Sequence, residues 1–245
     1  MSSKWKPWHQ VAQLREELKT GELSLAMFAA DLDEVILQKN KRPLYEDASK
    51  FFSLTYPTYN LKQLARDVVR RLAGKSDKAV RQLNLTYGGG KTHALITLCH
   101  LSRDPENLPK LPAIDEFKVA IDLDMPLPKA RIAAISFDKL DLETGMEVLA
   151  HDGKKARFFH PWTILAWQLA GEEGVGILNG GKGMTERESA PAENVMLELL
   201  AVPGNEGVST LILLDEVLMY ARPKVVDDKK WMVKLQNFFQ SLTQA

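Results

Sequence analysis

Leu85-Thr86-Tyr87-Gly88-Gly89-Gly90-Lys91-Thr92 is the stretch on which the fold turns. Its last four residues fit the phosphate-loop pattern Gly-x-x-x-x-Gly-Lys-Ser/Thr, with Leu85 standing where the pattern opens on glycine. The residues upstream, Lys78–Thr86, carry Val80, Leu83 and Leu85 and predict a strand. The residues downstream, His93–Leu101, are apolar and predict a helix. A glycine run between a strand and a helix lets backbone N–H groups form an anion-sized nest and offers the positive end of the helix to phosphate. Gly88 and Gly90 allow close backbone approach and positive φ, and Gly89 lies between them in the same expected nucleotide-contacting stretch. Lys91 is expected to reach the outer phosphates and Thr92 to ligate Mg²⁺ through its hydroxyl. Tyr87 and His93 bracket the loop and complete the expected nucleotide-contacting stretch, although His93 reads first as a packing residue.

The second anchor is Thr210-Leu211-Ile212-Leu213-Leu214-Asp215, followed by Glu216. A continuous apolar run of this length predicts a strand covered on both faces, as in a parallel sheet. Ligands of open α/β sheets sit at the carboxyl ends of strands, and both motifs occupy such ends. Asp215 is therefore the expected second Mg²⁺ residue, and Glu216 the expected base that orients or deprotonates water. Asn179-Gly180-Gly181-Lys182-Gly183 is a decoy: no apolar strand leads into it and no Ser or Thr follows Lys182.

Around these anchors the chain reads as mostly helical. Val11–Lys19 and Leu23–Leu37 predict helices divided near Gly21, followed by Asp47–Phe52 and by Leu61–Leu72 behind Asn60 as cap. Ala130–Phe137 predicts a buried strand; Phe159–Ala170, Ala192–Leu200 and Lys229–Gln244 predict helices, and Gly171–Ser189 a polar loop. Phe51, Phe52, Tyr56 and Tyr59 form an aromatic cluster that reads first as core and second as a platform for adenine. Asp138 reads as a turn residue, and Arg222 and Lys224 as solvated surface.

Totals bound the function classes. The chain has 245 residues with 32 basic and 32 acidic side chains, so global charge points to no polyanionic partner. The lone Cys99 excludes an internal disulfide or a cysteine-rich zinc site, and the five histidines lack ligand spacing. No long apolar run suggests a membrane span, and a reducing cytoplasm is the expected setting.

The sequence resembles the large prokaryotic P-loop ATPases of phage-defence islands, a domain-of-unknown-function family related to AAA-type ATPases. The resemblance rests on Trp8–Leu37, on Tyr45-Glu46-Asp47 with Phe51-Phe52 and Thr55-Tyr56, on Leu83–Leu98, on Thr163–Gly171 and on Leu211–Tyr220. It implies ATP with Mg²⁺ as ligands and hydrolysis powering a multi-protein anti-phage complex. DNA is an implied target of that complex, and self-association is left open. It implies Gly88, Gly90, Lys91 and Thr92 for phosphate and metal, Asp215 for the metal and Glu216 for water. Family members are longer, so the chain is expected to be an N-terminal fragment. A helical segment over 1–59 would precede an incomplete α/β P-loop core of three layers over 60–245, with a mobile glycine-rich loop at 171–190. The runner-up is a nucleotide-dependent interaction module that binds ATP without turnover; a small-molecule kinase ranks third.

Overall fold

A computed structural model describes residues 6–12, 19, 29–84, 88–141, 143–218 and 229–245. The chain divides into two compact units, Met1–Ala30 and Asp31–Ala245. In the first, α1 (Trp8–Val11) is a single turn. Most of the expected Val11–Lys19 helix lies outside the described residues, as do Leu85, Thr86, Tyr87, Arg222 and Lys224.

The second unit opens with α2 (Leu32–Leu37), the end of the expected Leu23–Leu37 helix, of which residues 23–28 lie outside the described residues. Residues 29–31 are not helical, and the Asp31 carboxylate accepts from the N–H groups of Asp33 and Glu34 and so caps α2. After α3 (Pro43–Glu46), Asp47 caps α4 (Ala48–Leu54) in the same way through Lys50 N–H. Thr58, rather than the expected Asn60, caps α5 (Tyr59–Leu72) by accepting from Leu61 N–H. Helix α2 packs directly on the first strand, within the compact unit that begins at Asp31.

The expected strand over Lys78–Thr86 is absent from its described part: residues 78–84 have no regular structure. Its charged and amide residues find water rather than a core; Val80 is 56% exposed, and Arg81 pairs with Asp67 at 3.3 Å. Then follow α6 (Lys91–Arg103) and α7 (Pro112–Ile121).

Strand β1 (Ala130–Ser136) pairs in parallel with β4 (Ser209–Asp215), Ala130 opposite Ser209 and Ser136 opposite Asp215. Parallel neighbours need a long crossover. Here it holds the antiparallel hairpin of β2 (Met146–Leu149) and β3 (Lys155–Phe158), then α8 (Pro161–Asn179) and α9 (Glu193–Asn205). The final helix is α10 (Lys229–Gln244). Both sheets among the described residues are two-stranded.

Register explains the core. Ala133 and Ile135 of β1 lie beside Ile212 and Leu214 of β4, and these join Trp162, Leu165 and Leu169 of α8, Leu199 of α9 and Phe238 of α10 in one apolar cluster. Fully burying a Leu, Ile or Phe side chain contributes about 1.5–3 kcal/mol. The alternate residues Ala134, Leu211 and Leu213 are buried as well, and α6 packs against both strands. The β1 edge away from β4 is closed by a side chain. Gln168 of α8 accepts from Ala134 N–H at 2.9 Å and donates to Ala134 C=O at 3.0 Å, as a neighbouring strand would.

Helix α8 continues past Ala170, where a loop is expected. Gly171 takes φ 56° and ψ −135° and bends the axis, and the helix resumes to Asn179. Gly174 lets the second half approach the first: a Cβ there would meet the Ala166 carbonyl oxygen at 2.3 Å. His160, the cap residue of α8, clusters with Trp162 and Trp231, its ring centroid 5.0 and 5.7 Å from theirs, and holds Glu186 at 3.0 Å.

Candidate phosphate-binding site

Two glycines turn the chain into α6. Gly88 has φ 74° and Gly90, the cap residue, φ 78°. A non-glycine residue is strained in this region by about 1–2 kcal/mol. Nothing lies within 4 Å of a Cβ built on either, so the backbone angle and not crowding selects glycine. Gly90, as cap, has no side chain to bond the first turn of α6. The positive end of a 13-residue helix thus lies beside exposed glycines. Lys91 and Thr92 are the first two helical residues and are half-buried.

Strand β4 delivers Asp215 to this helix start. Its carboxylate is 6% exposed and accepts from Thr92 Oγ1 at 2.6 Å, a bond spanning 123 residues. The other oxygen accepts from Glu216 N–H at 3.0 Å. That contact closes with Glu216 at φ 52°, so the chain leaves the strand abruptly and the Glu216 side chain stands exposed. Such backbone strain concentrates where a side chain is held for function.

Ser136 was not among the residues expected here. It sits opposite Asp215 in register, is 5% exposed and ends β1 as Asp215 ends β4. Residues opposite each other in neighbouring strands point to one face. Only the register reveals it; a serine after six apolar or basic strand residues carries no signal of its own. Asp138 lies two residues on, in a short 3₁₀ turn beside Lys139 at 3.5 Å, in keeping with a turn role.

Behind the helix start, His93 packs its ring on Phe51 at 4.6 Å. Thr55 Oγ1 donates to Phe51 C=O at 2.8 Å and lies 3.1 Å from His93 Nε2. The threonine proton is committed to the carbonyl, so His93 Nε2 is the donor of the second bond and the ring is the Nε2–H tautomer. Burial holds the His93 pKa below its ordinary value, which favours this neutral form. His100, two turns on, is pushed down to about 4, mainly by burial. Its Nε2 lies 2.7 Å from the Tyr45 carbonyl and in the neutral ring donates to it. Phe51 and Phe52 are core residues, whereas Tyr56 and Tyr59 are exposed.

The decoy glycines form a helix end. Asn179 Nδ2 donates to Gly183 and Thr185 carbonyls at 2.7 and 2.8 Å, and its Oδ1 accepts from Lys182 N–H at 2.8 Å. Among the described residues no group of three or more His, Cys, Asp or Glu side chains is placed to hold a metal. None of the described helices is long and apolar enough to cross a membrane.

One protein-family model, described as the DUF499 N-terminal domain, matches residues 8–245. No curated protein and no solved structure matches the chain.

Proposed function

We propose that this chain, which belongs to the DUF499 N-terminal domain family, binds the phosphates of MgATP at the start of α6 and is the front part of an ATPase. The observation that carries the proposal is the 2.6 Å bond from Thr92 to Asp215, which joins the two motifs the chemistry needs. A glycine turn or a strand-end acid pair alone is common; their meeting at one helix N-terminus is not. In this reading the chain has a P-loop core, with the amides of residues 88–92 cradling phosphate and Lys91 adding charge.

Magnesium suits the donor set. Mg²⁺ keeps several waters and takes few protein ligands beside substrate phosphates. Thr92 gives its hydrogen to Asp215 and keeps oxygen lone pairs for the metal, while Asp215 supplies the buried negative charge. The metal would neutralise charge on the transferring phosphate. Glu216, exposed beside Asp215, would in this reading orient the attacking water.

Phosphate release follows in the same samples as MgATP calorimetry. Lys91→Ala is expected to weaken MgATP binding about a hundredfold, the loss of a contact worth about 3 kcal/mol. Equal affinity in that variant would refute the reading. A second reading, ATP binding without turnover, draws support from the sheet: among the described residues β4 has no strand partner on the side away from β1. Turnover that disappears in Glu216→Gln while binding survives favours the ATPase; binding without turnover in the parent chain favours the module. The anti-phage setting, partner proteins and a DNA target are part of the proposal and rest on the resemblance alone.

A further inference from the structure

Thr55-Tyr56-Pro57-Thr58 joins α4 to α5 and alternates in burial. Thr55 is 5% exposed and Pro57 is buried, whereas Tyr56 is 80% exposed. The strap is pinned by hydrogen bonds at Thr55, Tyr56 and Thr58. Thr55 bonds Phe51 and His93, Thr58 N–H donates to Tyr56 C=O at 2.9 Å, and the Thr58 hydroxyl caps α5. Tyr56 is thus held out of the core by an ordered segment. Burying so large a ring would be favourable, and the core here uses Phe51 and Phe52 instead.

The strap also has a fixed address. His93 directly follows Thr92, whose hydroxyl faces Asp215, and His93 holds Thr55 at 3.1 Å. Tyr56 is the next residue along, one peptide step of about 3.8 Å between Cα atoms. The exposed Tyr56 ring thus follows directly on the residue that His93 ties to the cradle helix.

We propose that Tyr56 stacks the nucleobase of the bound nucleotide, an assignment that rests on the P-loop reading above. The phosphates dock on α6 and the base lies over the Tyr56 ring. Stacking accepts any base with a π face, so Tyr56 sets affinity for a nucleoside over bare polyphosphate rather than adenine over guanine. Tyr59, also exposed, lies beyond Pro57 in the first turn of α5.

The test uses calorimetry of the full chain with MgATP and with magnesium tripolyphosphate, which lacks a base. Tyr56→Ala is expected to weaken MgATP by about tenfold or more, the usual loss of one base stack, and to leave tripolyphosphate within about twofold. Tyr56→Phe keeps the ring and is expected to bind MgATP as the parent does, as is the surface control Tyr59→Ala. Unchanged MgATP affinity in Tyr56→Ala overturns the assignment and leaves the cradle standing. Equal losses of both ligands also overturn it, since the ring would then support the loop and not the base. A parent chain that binds neither ligand overturns the cradle, and the stacking role with it.

Discussion

The Thr92–Asp215 bond can be weighed without any ligand. Thr92→Val removes the hydroxyl, keeps the side-chain volume and leaves one oxygen of a buried carboxylate without its partner. Hydrogen bonds to charged acceptors contribute about 1.5–3 kcal/mol, and this one is short at 2.6 Å and ends on a group 6% exposed. Thr92→Val should therefore lower the unfolding free energy by about 2 kcal/mol. In an Asp215→Ala background the same change should cost under about 0.5 kcal/mol, because the acceptor is already gone. The four proteins of this cycle, unfolded in urea with no nucleotide or divalent cation, should give a coupling of about 2 kcal/mol at unchanged m value. Costs that add to within about 0.5 kcal/mol would mean that the two side chains do not interact in solution. The site would then lose its main support.

Two further outcomes concern the frame around the site. Gln168→Leu strands the buried N–H and C=O of Ala134 on the closed edge of β1; a loss of about 2–6 kcal/mol in urea unfolding is expected, at about 1–3 kcal/mol per orphaned group. A loss below about 1 kcal/mol would show that water replaces the amide. His100 titrates near 6.5 when unfolded and at about 4 when folded, so between these values the unfolded chain holds the extra proton. Its contribution is intact above pH 6.5 and falls away as the pH drops towards 4, by about 3 kcal/mol in all. Unfolding free energies measured across that window should slope less in His100→Phe, and an unaltered slope would assign the acid sensitivity elsewhere.

Elements with one dominant local signal were legible in the sequence. The apolar run Thr210–Asp215 and the amphipathic Lys229–Gln244 fall within a residue of β4 and α10. Weaker signals lost to tertiary context. Glycines at 171, 174 and 176 read as a helix stop, yet one bend at Gly171 and close packing at Gly174 let α8 run on. The β2–β3 hairpin offers only four residues a strand around the polar 151–154 turn, too short to show alternation. Residues 78–84 carry enough aliphatics to suggest a strand, but Lys78, Arg81 and Asn84 leave no buried face. Within the candidate site, glycines, lysine and threonine announce themselves by spacing. Ser136 and the Gln168 edge contact depend on which strand lies beside which, information that no local window holds.

Gly88 and Gly90 also say something about handedness. Each sits at a positive φ that a mirror-image residue adopts at ease, and each has open space where a side chain would begin. An L-alanine there is strained, whereas a D-alanine, built in by chemical ligation, fits the same backbone. It would also narrow the unfolded ensemble, a change worth about 0.4–1 kcal/mol when the native angle is already compatible. The loop carries the most disordered residue in the alphabet because ribosomal synthesis offers only one chirality. Its order in the folded chain has to come from α6 and from Asp215 rather than from the glycines themselves.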